Sequence, residues 1–173
     1  MRNVTFALVL LAAGSAAAEH EKGSKDAAAA AKAAIDKADE LFNKGDAKGL
    51  GAMLDKSYFG EGPTVSAKFD SPEAMTTHLE GMLAKGGHLI RDGLTIKPDE
   101  DGGSAWYIAD YTFIPKVPPG ALPVRRKMRE SGVLVKRGKE WKFAMTHMSM
   151  VQPDADAPPM PPTTAAPMQP QKK

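Results

Sequence analysis

The feature that most limits what this chain can fold into is a change of period at Gly86-Gly87. Before it, apolar residues recur at helical spacing; after it, they alternate. Ala27 to Lys44 is alanine-rich, and Ile35, Ala38, Leu41 and Phe42 make one apolar stripe. Gly45 is placed to stop that helix, and Asp46 to cap a short second one in which Leu50, Met53 and Leu54 share a face. Tyr58-Phe59 and the loop GEGPT follow. A third helix starts in FDSPEAM, with Asp70 or Ser71 as cap, Pro72 in its first turn and Glu73 at its positive end. Met75, Leu79, Met82 and Leu83 give its buried face, and the glycine pair ends it.

Four strands are predicted beyond that pair: His88–Lys97, Ala105–Ile114, Arg126–Arg137 and Trp141–Val151. A turn-rich Asp99–Gly103, the breaker KVPPGALP and an Arg137-Gly138-Lys139 turn separate them. Helices first and an antiparallel meander after is an α+β pattern, with N-terminal helices packed on a curved antiparallel sheet.

The ends read differently from the middle. Residues 1–18 carry one Arg, an apolar run from Val4 to Ala13 and an Ala16-Ala17-Ala18 cleavage site, the three parts of a signal peptide. Cleavage is expected after Ala18, which points to the periplasm or to secretion. Residues 19–25 read as a linker, 26–151 as the domain, and 152–173 as a Pro-rich tail too poor in apolar area to order itself. The chain has no cysteine, so neither a lipoprotein anchor nor a disulfide is expected, and the fold rests on its core. Net charge is +2, and Arg125-Arg126-Lys127 is the compact basic run. Nucleic acid is not expected as a partner, nor a membrane after signal cleavage.

The order helix, short helix, FNKGDAKGLGAML, loop, short helix and long strands ending in W-x-F-x-x-x-H-x-S resembles the nuclear transport factor 2-like superfamily. Within it the chain is most similar to the SnoaL-like exported small domains. The likeness spans about Ala27 to Val151 and rests on Phe42–Leu54, Glu130–Val135 and Trp141–Ser149. It implies a cone-shaped α+β barrel, a pocket between sheet and helices, and a dimer through the sheet.

Strict alternation puts Trp141, Phe143, Met145, His147 and Ser149 on one face. If that face lines the pocket, His147 can serve as acid or base; otherwise it is a hydrogen-bonded histidine of the core or rim. Asp110, with Trp106 and Ile108 at alternate positions, is the candidate base beside it; otherwise it pairs with Arg126 or Arg129 on the next strand. Tyr58, Trp106, Trp141, Phe143, Met145 and Ser149 are the candidate pocket residues. Ser149 has no nucleophile elbow and no adjacent base, so nucleophilic chemistry is not expected. The four histidines lack ligand spacing, and the methionines read as core filling, so no metal and no cofactor is expected. Two functions stand open. One is a noncatalytic domain, a homodimer that binds a small apolar or amphipathic ligand or serves assembly. The other is a pocket enzyme, an isomerase, dehydratase or hydrolase using His147 and Asp110.

Overall fold

The structure is a computed structural model that describes residues 12–151, with side chains from Gly23 on. The first part of the expected signal peptide, residues 1–11, and the Pro-rich tail, 152–173, lie outside the described residues. The first helix, α1, spans Ala12–Lys44 and is longer than the expected Ala27–Lys44. It runs through the expected cleavage point after Ala18 and the expected linker, because 12–34 is dominated by alanine, the best helix former. Ala27, Ala31 and Ile35 repeat every fourth residue on its buried face, and the two alanines let the helix lie close on the sheet.

Gly45 ends α1 in the left-handed conformation, with φ +75°. Its N–H donates to Phe42 O and the Asp46 N–H to Leu41 O, both at 2.9 Å, a Schellman closure. Asp46 then accepts from the Gly49 N–H at 2.8 Å and caps α2 (Ala47–Ala52). Helix α3 (Pro72–Leu83) begins as expected, with Ser71 accepting from the Ala74 N–H. Leu41, Ala47, Leu50 and Leu79 join the three helices in a small core of their own.

Two strands escaped the sequence reading. Leu54 opens β1 (Leu54–Glu61) instead of closing the second helix, and β2 (Lys68–Phe69) forms a hairpin with it. The other four are β3 (Gly87–Pro98), β4 (Ser104–Pro115), β5 (Arg126–Arg137) and β6 (Glu140–Met150). The sheet order is β2-β1-β6-β5-β4-β3. The meander β3 to β6 is antiparallel as expected, but β1 runs parallel to β6, so the six-stranded sheet is mixed and open. The signal was missed because β1 is anchored by a buried carboxylate and not by an apolar run. Asp55, 3% exposed, accepts from the Ser57 N–H and hydroxyl and from Arg137 Nε at 2.6 Å. The Arg137 guanidinium first, then Ser57, holds that carboxyl well below the usual range.

Helix α1 is latched to the outer strand by Asn43. Its amide donates to Leu89 O at 2.9 Å and accepts from the Leu89 N–H at 2.7 Å, as a neighbouring strand would. Replacing Asn43 by Ala should cost about 1 kcal/mol, because both bonds are solvent-accessible. Urea titration checks this, and an unchanged midpoint would mean that the latch adds no stability.

Candidate functional site

A single extra residue decides which side chains meet inside the cone. Phe143 pairs with Leu134 and Met145 with Val133, leaving Ala144 as a bulge in β6. Strict alternation therefore fails along this strand. Trp141 and Phe143 are buried on the inner face, and beyond the bulge Thr146 takes that face. Met145, His147 and Ser149 pair with Val133, Ser131 and Arg129 on the outer face.

The sequence-derived residues are thereby divided. Tyr58, Trp141 and Phe143 stand in the inner core, with Tyr58 1% exposed. Trp106 stands on the outer face, 43% exposed, with the Lys97 ammonium 5.5 Å from its ring centre. Asp110 is on the outer face too, paired with Arg129 Nε at 2.7 Å, the partner its second reading anticipated. His147 is exposed and separated from Asp110 by strand β5. Two strand spacings and a two-residue offset put them about 12 Å apart, too far for direct proton exchange. His147 and Ser149 instead line an open groove of about 400 Å³ against the Gly62–Ala67 loop.

The polar groups that do converge are on the inner face, and sequence reasoning missed most of them. Strand β4 alternates Ala105, Tyr107, Ala109 and Tyr111 inward, all buried. Gly132 on β5 leaves room for the Tyr107 ring: a Cβ there would lie 2.6 Å from it. Gly60 does the same for Tyr58, whose hydroxyl lies 2.6 Å from Thr146 Oγ1. The Tyr107 hydroxyl donates to Glu130 Oε1 at 2.5 Å. The Tyr111 hydroxyl donates to Asp39 Oδ1 at 3.2 Å, and Asp39 Oδ2 faces Arg91 Nη1 at 3.3 Å. Arg91 also bonds Asp36, which Lys32 shares from the solvent side.

Electrostatics mark one of these groups. Burial pushes the Glu130 carboxyl up to about 7, against the lowering effect of the Tyr107 hydroxyl and with a further push from the Asp39 charge. Burial raises Asp39 as well, although Arg91 offsets part of this. Tyr107 and Tyr111 are pushed upward by burial and by the Glu130 charge, so both stay neutral donors. Near neutral pH, Glu130 can therefore hold or release a proton while two phenols donate toward the carboxylates. A signal for this cluster was present, since Tyr107 and Tyr111 share a face and register places Glu130 opposite Ala109 between them. It was outweighed by Trp106 and Ile108, which made the opposite face look like the buried one. Among the described residues no group of three or more His, Cys, Asp or Glu is arranged to hold a metal ion.

No protein-family model matches the chain, and no curated protein matches its sequence. Solved structures do match in shape. A candidate scytalone dehydratase from Novosphingobium aromaticivorans superposes with a TM-score of 0.64 over 71% of this chain and 83% of its own, at 13% identity. A nuclear transport factor 2-like protein with a cystatin-like fold from the same organism gives 0.64 over 86% and 95%, at 12% identity. A candidate calcium/calmodulin-dependent protein kinase II association domain from Xanthomonas campestris gives 0.62 over 70% and 85%, at 22% identity. Such identities carry no chemistry across. The shared course of helices and strands, over most of each chain, does carry the architecture: the chain has the nuclear transport factor 2-like fold, helices laid in the hollow of a curved sheet.

Proposed function

We propose that this chain is a noncatalytic assembly domain of an exported protein, working as a homodimer that closes the outer faces of two sheets on each other. One observation carries the reading. The outer face exposes large apolar side chains, Phe59, Ile90, Trp106 and Ile108, each 38–46% accessible, whereas the inner face is filled by its own tyrosines, Trp141 and Phe143. Four strands about 4.8 Å apart, each rising about 3.4 Å per residue, cover roughly 750 Å², close to the ~800 Å² per partner of a standard interface. On that face Asp110 pairs with Arg129 and Asp92 with Lys127 at 2.8 Å, so these four charges can enter a contact already neutralised. The packed interior is what an assembly role needs and what a pocket enzyme does not. Light scattering on the purified chain at micromolar concentration tests the reading: a dimer mass is expected, and a monomer at 100-fold higher concentration would sink it.

A second reading is favoured by Glu130 alone. A carboxyl raised to about 7 and held by a phenol on the inner face is a general acid or base in waiting. It would act on a small carbonyl or hydroxyl compound. A thermal-shift screen of such compounds at pH 6 and pH 8, with the Glu130→Gln variant as control, tests it. No compound that stabilises the native chain more than the variant would close this route.

A further inference from the structure

The segment joining β4 to β5 leaves the sheet after Pro115 and runs into β5 at Arg126. It reads KVPPGALPVRRK from Lys116 to Lys127, with four cations and no carboxylate. Leu122 and Val124 are 81% and 69% exposed, so their side chains touch little of the protein. Their presentation is not loose. The Ala121 N–H donates to Pro118 O at 3.1 Å, Pro119 sits at the second position of the turn, and Gly120 has φ +86°. This is a type II turn, and with Pro123 it stiffens the segment. Lys85 joins from the end of α3, since the neighbouring Gly86 O accepts from the Lys116 N–H. Lys127 pairs with Asp92, but among the described residues no carboxylate pairs with Lys85, Lys116, Arg125 or Arg126.

We infer that this turn is a peripheral docking element for an anionic phospholipid surface. Leu122 and Val124 would enter the boundary between headgroups and acyl chains while Lys85, Lys116, Arg125 and Arg126 meet the phosphates. A protruding turn with apolar tips and a basic collar suits a plane and not a cleft. Two depressions among the described residues lie elsewhere, at the β1–β2 loop and between α2 and α3. Two apolar tips are too few for lasting insertion, so binding is reversible and depends on lipid charge and salt. The sequence reading expected no membrane partner, because it weighed Arg125-Arg126-Lys127 for nucleic acid without the exposed leucine and valine beside it.

Vesicle co-sedimentation of the full chain purified from an exporting host decides the matter. Vesicles of phosphatidylglycerol and phosphatidylcholine are compared with phosphatidylcholine alone. Binding is expected only to the anionic vesicles, weakening as salt rises from 0.1 to 0.5 M. Arg125→Glu with Arg126→Glu should weaken it at least about 25-fold, at about fivefold per charge. Leu122→Ser with Val124→Ser should weaken it as well. Both variants change exposed side chains, and circular dichroism confirms their folding. Equal binding to neutral vesicles, binding retained in either variant, or capture of poly-glutamate without vesicle binding would overturn the inference; the last would indicate an acidic protein partner.

Discussion

Replacing Trp106 and Ile108 together by glutamate should raise the dimer dissociation constant by at least about 1000-fold, leaving a folded monomer. In a two-fold interface each substitution appears twice, so the double variant places four carboxylates in one apolar contact. Burying an unpaired charge costs several kcal/mol before any lost contact is added. The monomer itself should tolerate the change. Trp106 and Ile108 are 43% and 38% exposed, and their inward neighbours Tyr107 and Ala109 supply the core of that strand. Sedimentation equilibrium measures the constant, and far-UV circular dichroism checks the fold. A variant that stays dimeric would place the interface elsewhere. A variant that unfolds would show that this face is needed inside the monomer.

The Glu130→Gln variant should gain up to about 3 kcal/mol of stability at pH 8 and almost none at pH 4. The sign follows from the carboxyl being raised from 4.5 to about 7. Between those values the folded chain holds a proton that the unfolded chain has lost, so stability falls as pH rises through the interval. Below 4.5 both states are protonated and the difference vanishes. Above 7 the folded chain carries a poorly solvated carboxylate, and a shift of this size corresponds to about 3 kcal/mol. Glutamine stays neutral throughout and still accepts from the Tyr107 hydroxyl. Denaturant titrations of both proteins at pH 4, 6 and 8 test this, and parallel stability curves would show that Glu130 ionises freely. Asp39, also raised by burial, adds a slope of the same sign in both proteins.

The fold was legible wherever period and punctuation agreed. The Arg126–Arg137 strand came out with its bounds, and the caps at Gly45, Asp46 and Ser71 act as their residue types suggest. Strand β1 was not legible, because its buried anchor is Asp55 and the Arg137 that neutralises it is 82 residues away. Two-sided strands set the other limit. Strand β4 carries apolar residues on both faces, and only packing against α1 tells Tyr107 from Trp106. The meeting of Glu130, Tyr107, Tyr111, Asp39 and Arg91 draws on α1, β3, β4 and β5, so no local spacing announces it.

The bulge at Ala144 acts as a phase switch written into one residue. Upstream of it β6 feeds Trp141 and Phe143 to the core in one phase; downstream it feeds Thr146 in the other. Deleting Ala144 would straighten the strand and change neither phase, since Phe143 would stay opposite Leu134 and Met145 opposite Val133. Drawing Ala144 into the ladder opposite Val133 would instead slip the register by one residue, set His147 opposite Glu130 on the inner face and take Thr146 away from Tyr58. A slip of one residue separates a strand that keeps its histidine for the surface from one that delivers it to an acid in the cone. A change of register here, more than any substitution, would bring a new set of side chains to the inner face.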